Sequence, residues 1–102
     1  MNEAEIEFEI QKKGLKSFRL TPEMIDATIV NDAYHHFAGT TVVVCCLTLS
    51  NGYSVTGESA CISSSNFDIT LGRQIARDNA REKIWQLEGY LCKEAIHKMK
   101  EE

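Results

Sequence analysis

The sequence is short of basic residues, carries a single proline and has no long apolar run. Eleven Lys and Arg against 15 Asp and Glu leave a formal net charge of −4. That balance excludes a general nucleic-acid or anionic-membrane binder unless a local patch reverses the sign. No stretch approaches the roughly 20 apolar residues that a membrane helix needs. Residues 1–9 are acidic where a signal peptide is basic, so the chain is expected in the cytoplasm. Its four cysteines (Cys45, Cys46, Cys61, Cys92) are therefore expected as reduced thiols, and no Cys-x-x-Cys spacing occurs. Also missing are the Gly-x-Ser-x-Gly elbow, the glycine-rich phosphate loop and His-Glu-x-x-His, so catalysis is not expected.

What is present suits one ordinary folded domain spanning residues 1–102. Apolar residues make up 43% of the chain and charged residues 25%, which argues against disorder. The pattern predicts an α+β fold: an antiparallel β-hairpin or sheet packed with an N-terminal helix pair and a long C-terminal helix. The first helix is expected over 3–13. Glutamates fill its start, Lys12 and Lys13 its end, and Gly14 follows. The second is expected from Thr21, a cap followed by Pro22, to about His36. Its stripe is Ile25, Ile29, Ala33 and Phe37, widened by Val30 and Tyr34.

Residues 40–49 and 53–62 read as a hairpin about Asn51-Gly52, with Cys46 facing Gly57 and Cys45 facing Glu58. No cysteine pair is then opposed, and no disulfide is expected. Residues 42–47 are apolar on both faces, so either helices sandwich the hairpin or a second subunit covers it. A long helix is expected over 68–98, capped by Asp68 or Asn66. Its core stripe is Ile69, Ala76, Ala80, Ile84, Leu87 and Leu91.

The chemically informative feature is Arg73, Arg77 and Arg81. Four-residue spacing puts three guanidinium groups on one helix face, and such groups need carboxylates or phosphates to satisfy their donors. A salt-bridged surface with Asp78 and Glu82 nearby is one reading; a phosphate-binding site is the other. Asn66, Phe67 and Tyr53 supply an amide and aromatic rings that could stack a base beside the arginines. Glu58 is a candidate base, or a partner for an arginine or a ligand hydroxyl. His35 and His36 are adjacent, and Cys45 and Cys46 point to opposite strand faces, which defeats a metal site.

Several stretches resemble a known family. They are Leu20-Thr21-Pro22-Glu23-Met24-Ile25, Tyr34-His35, Gly39-Thr40-Thr41, Cys45-Cys46-Leu47-Thr48-Leu49 and Asn51-Gly52-Tyr53. With them go Val55-Thr56-Gly57-Glu58-Ser59-Ala60-Cys61, Asn66-Phe67-Asp68 and the helix from Gly72 to Trp85 ending in Leu87-Glu88-Gly89-Tyr90-Leu91. Together they resemble the phage 49/66-type family of small phage and prophage proteins over about residues 10–97. The resemblance extends to the anti-Thoeris sponge proteins, which sequester cyclic ADP-ribose isomers uncleaved; some also hold cyclic trinucleotides. It implies a homo-oligomeric phage protein of the host cytoplasm that binds a cyclic nucleotide immune signal without a cofactor. It implies that Arg77 and Arg81, with Arg73 as a third candidate, grip phosphates, and that aromatic and amide residues hold the base. Tyr53, Asn66 and Phe67 are the matching candidates, with Glu58 and His36 beside them. The alternatives are a module docking onto a host protein, a small hydrolase or lyase working through Glu58 and His36, and a purely structural role in the virion.

Overall fold

A side-chain cap begins each α-helix among the described residues. In the structure, a computed structural model describing residues 2–14 and 18–101, Asn2 starts α1 (Glu3–Lys12) by accepting the Glu5 amide at 2.8 Å. Glu3 and Glu5 lie in the first turn, Lys12 in the last, and Gly14 follows at φ +66°. Thr21 starts α2 (Pro22–Ala27) by accepting the Met24 amide at 3.3 Å, with Pro22 at the first position. Asp68 starts α3 (Ile69–Glu101) by accepting the Leu71 amide at 3.1 Å.

The expected continuation of α2 to His36 is overturned. The helix stops at Ala27, Thr28 donates its hydroxyl to the Ile25 carbonyl, and Ile29–His36 runs as strand β1. The stripe Ile29, Ala33 and Phe37 fits a helical period, but Thr28, Ile29, Val30 and Tyr34 favour a pleated backbone. Tertiary pairing decides: β1 covers an edge that a two-stranded hairpin would leave open.

Strand β2 (Val42–Leu49) sits centrally between β1 and β3 (Ser54–Ala60), both antiparallel to it. The expected hairpin register is corrected by one residue: Cys45 pairs with Gly57, Cys46 with Thr56, and Val42 with Ala60. The loop has three residues, 50–52, rather than two. The Gly52 amide returns to the Leu49 carbonyl at 2.8 Å, and Leu49 donates to the Tyr53 carbonyl at 2.8 Å. Only Gly52 takes a positive φ, +89°, as a type I turn with a trailing left-handed residue requires. Asn51 sets the turn by accepting the Tyr53 amide at 2.9 Å.

Helix α3 crosses one face of this sheet. Its buried residues Ala76, Ala80 and Ile84 meet Val43, Cys45, Leu47, Leu49 and Val55, with Ile25 closing the core. The crossing is close because Gly57 lies beneath it: a Cβ there would fall inside the Ala80 amide and the Ala76 carbonyl. Ser59 donates its hydroxyl to the Gly72 carbonyl at 2.7 Å, and Asn79 donates its amide to the Glu58 carbonyl at 2.8 Å. These bonds fasten helix to edge strand.

Two expected members of the α3 core stripe lie outside it. Leu87 is 37% exposed and Leu91 57%. Length explains this: 33 residues of helix span about 50 Å, whereas an eight-residue strand spans about 27 Å. The distal half of α3 therefore runs past the sheet, stretching the molecule to 56 Å along its longest axis. Among the described residues, no helix covers the second sheet face. There Val42, Val44, Cys46 and Thr48 of β2 are only half-buried, beside Ala33 and His35 of β1 and Thr56 and Glu58 of β3.

Candidate functional site

Four-residue spacing puts Arg73, Arg77 and Arg81 on the side of α3 that looks toward β1 and α2. Alternation along β1 sends Asp32, Tyr34 and His36 to the same side, since they pair with the inward-facing Leu47, Cys45 and Val43. The Arg73 guanidinium carbon lies 5.8 Å from the centre of the Tyr34 ring. Arg77 Nε approaches Asp32 Oδ2 no closer than 3.9 Å, an ion pair without a hydrogen bond. Tyr34 donates its hydroxyl to the same carboxylate at 3.0 Å. Burial, followed by that bond to Asp32, pushes the Tyr34 phenol up to about 12, so it stays protonated at neutral pH. Burial also pushes the Cys45 thiol beside it upward. Among the described residues, neither Arg73 nor Arg77 donates a hydrogen bond, so both keep free donors.

Arg81 differs from its two neighbours. Its Nη1 and Nη2 grip the two oxygens of Glu3 at 2.6 and 2.9 Å, and its Nε holds Asp26 at 2.7 Å. Nη2 also reaches the Pro22 carbonyl at 3.3 Å. The Trp85 indole, one turn further on, donates to the same Glu3 carboxylate at 3.2 Å. Hydrogen bonds from Arg81, and then its charge, hold the Glu3 carboxyl below its ordinary value. The pair of carboxylates raises Arg81 further in turn.

The remaining candidates lie elsewhere. Glu58, Asn66 and Phe67 line an open groove of about 310 Å³ on the β3 side of α3, with Leu71, Ile75 and Asp68. No arginine lines it. The hydroxyls of Thr41 and Ser59 in its wall are already bonded to the Cys61 and Gly72 carbonyls. His36 stacks on Phe67 at 4.9 Å and bonds through Nε2 to the Thr40 carbonyl at 2.7 Å, making no hydrogen bond to Glu58. Two carboxylates and, among the described residues, no cation make this groove a poor place for a phosphate. Tyr53 lies at the far end of the sheet, in an apolar cleft of about 350 Å³ with Leu87, Tyr90 and Leu91. The structure thus brings the three arginines together and places the aromatic and amide candidates in two other regions.

Five residues at the arginine face were not singled out as site residues from the sequence: Asp32, Tyr34, Asp26, Glu3 and Trp85. A strand period over residues 32–36 would have found the first two. Nothing local announces Glu3, which lies 78 positions from its partner. Among the described residues, no three His, Cys, Asp or Glu side chains cluster as metal ligands do, and no helix is long and apolar enough to cross a membrane.

A three-stranded meander under one long helix, with a guanidinium row along that helix, defines a small α+β protein. By sequence, the chain belongs to the Phage protein (N4 Gp49/phage Sf6 gene 66) family, whose profile matches residues 20–96. That stretch covers α2, the sheet and most of α3, including all three arginines, and leaves α1 outside. No curated protein and no solved structure matched the chain.

Proposed function

We propose that this phage-family protein binds and sequesters a cyclic nucleotide immune signal, a cyclic ADP-ribose isomer or a cyclic oligonucleotide, without cleaving it. The observation that carries the reading is the pair Arg73 and Arg77. They stand one turn apart and keep free donors, Arg73 over the Tyr34 ring and Arg77 near the Asp32 carboxylate that the Tyr34 hydroxyl engages. Two guanidinium groups suit two phosphates of one ligand, by charge-assisted and bidentate bonds. Tyr34 offers a ring edge for a base or ribose. The groups around it favour holding over reacting: the phenol is protonated, and Asp32 is engaged by the Tyr34 hydroxyl. The resemblance to sponge proteins points the same way, and a homo-oligomer belongs to the same proposal. The uncovered sheet face, with Val42, Val44 and Cys46 along its centre, gives a second copy an apolar surface.

Thermal shift against cyclic ADP-ribose isomers and cyclic di- and trinucleotides tests this. A sponge at a hundredfold excess of ligand over Kd gains about 2.7 kcal/mol, a rise of about 10 °C or more for a domain of this size. The ligand is then recovered unaltered by mass spectrometry after heat denaturation, and Arg77→Ala abolishes the shift. A ligand returned cleaved would refute sequestration. A second reading, docking onto a host protein, is favoured by the same uncovered sheet face; no shift with any nucleotide, together with a stoichiometric host partner, selects it.

A further inference from the structure

Helix α1 is attached to the rest of the molecule through charge rather than burial. None of its residues is buried, and Ile6 and Phe8 project into solvent. Glu3 is held by Arg81 and Trp85, and Glu7 meets Arg19 at 2.8 Å. An amphipathic helix normally docks through its apolar stripe; this one docks through carboxylates.

The contact at Arg81 has the form of a bound ligand. Both terminal nitrogens engage both oxygens of one carboxylate, the fork geometry that guanidinium groups use for carboxylate and phosphate alike. Asp26 holds Nε from a different element, so the guanidinium stays aimed when its fork is empty. The Trp85 N–H completes a three-donor cradle. Arg81 also continues the row whose other two members, Arg73 and Arg77, keep free donors.

We propose that Arg81 and Trp85 form a latent anion subsite, and that Glu3 is its built-in competitor. A phosphate-bearing ligand displaces the Glu3 carboxylate, takes the guanidinium fork as its third contact after Arg73 and Arg77, and releases α1 from α3. The identity of that ligand rests on the reading given above; the competition itself does not. Self-occupancy lowers the apparent affinity by the fraction of molecules in which the fork is open. It also lends selectivity, because a single small anion gains less from displacing Glu3 than a ligand spanning the whole row.

The indole at the contact reports on it, since Trp85 is the sole tryptophan. Full-length protein is titrated with inorganic pyrophosphate while Trp85 emission is followed. Saturation is expected to change the emission as Glu3 leaves the indole. In Glu3→Gln the apparent affinity is expected to rise about tenfold, starting from an emission already like that of the saturated native protein. Glu7→Gln keeps the fork and its competitor but loosens α1 at its other anchor, so a smaller gain in the same direction is expected. It also serves as the informative variant should Glu3→Gln fail to fold. Equal affinities in all three proteins, or binding with no change at Trp85, overturn the proposal. Repeating the titration with a cyclic ADP-ribose isomer separates the two readings. Glu3-dependent pyrophosphate binding without nucleotide binding keeps the competitor and discards the cyclic nucleotide. Nucleotide binding that ignores Glu3 does the reverse.

Discussion

The two halves of α3 are both studded with apolar residues, yet they have opposite fates. Up to Ile84 the helix presents small residues, Ala76 and Ala80, to a glycine of the sheet, and the contact is close enough to bury every atom. Beyond Leu87 the side chains are larger, Tyr90, Leu91, Ile96 and Met99, but they remain exposed, Tyr90 and Leu91 reaching only the open cleft at the end of the sheet beside Leu49 and Tyr53. The lesson is that hydrophobic periodicity marks a face without saying where its partner ends. In this chain the length of the sheet, not the helix, decides which residues become core.

The largest test of that contrast is Gly57→Val. The added side chain meets backbone rather than a mobile side chain, so α3 must lift off the sheet. A loss of at least about 4 kcal/mol, or failure to fold, is expected, read by urea denaturation. A near-neutral result would mean that the helix is not seated where it is described. Next comes a matched pair of truncations within the helix. Ile84→Ala removes a fully buried side chain and is expected to cost about 2–5 kcal/mol. Leu91→Ala, in the open cleft at the end of the sheet, is expected to stay within about 0.5 kcal/mol of the parent. If Leu91→Ala proved as costly in an assembled form, the distal half would be an interface rather than a free rod.

The smallest effect concerns the arginine row, where the same helix offers two open guanidinium groups and one closed. Glu3 has its folded pKa depressed below the ordinary 4.5. A depressed carboxylate contributes docking energy that is complete above its unfolded value and is lost as pH falls through the folded one. Helix α1 is therefore expected to stay attached at neutral and mildly acidic pH and to detach only once the pH has fallen below the ordinary 4.5 of a glutamate. A step in Trp85 emission should mark the release, and Glu3→Gln should lack that step. A transition unchanged in Glu3→Gln would assign the acid response to another carboxylate.

Much of the fold was legible in the sequence, and the errors have definite causes. Caps are local chemistry, so Thr21-Pro22, Asp68 and the acidic start of α1 marked helix starts correctly. The Asn51-Gly52 turn was found, but which residue carries the positive φ depends on the flanking strands, and one residue of loop moved the whole register. Strand β1 was hidden because Ile25, Ile29, Ala33 and Phe37 also fit a helical period, and Asn31 and Asp32 are poor strand formers. That error propagated to the site. Read as helix, residues 32–36 could not show that Asp32 and Tyr34 would face Arg77 and Arg73. The arginine row itself was readable from spacing alone. The closure of Arg81 was not, since its partners Glu3 and Asp26 lie 78 and 55 positions away.

The amide of Asn79 on the Glu58 carbonyl has a consequence for growth into fibres. An incoming strand could add to β3 only by evicting a side chain that α3 holds in place. Pairing along β3 is thereby obstructed at its centre, while the β1 edge has no such side chain bonded to it among the described residues. Two molecules joining β1 to β1 would complete one six-stranded sheet with an obstructed strand at each end. One amide, contributed by a helix, thus works against growth of the sheet past β3.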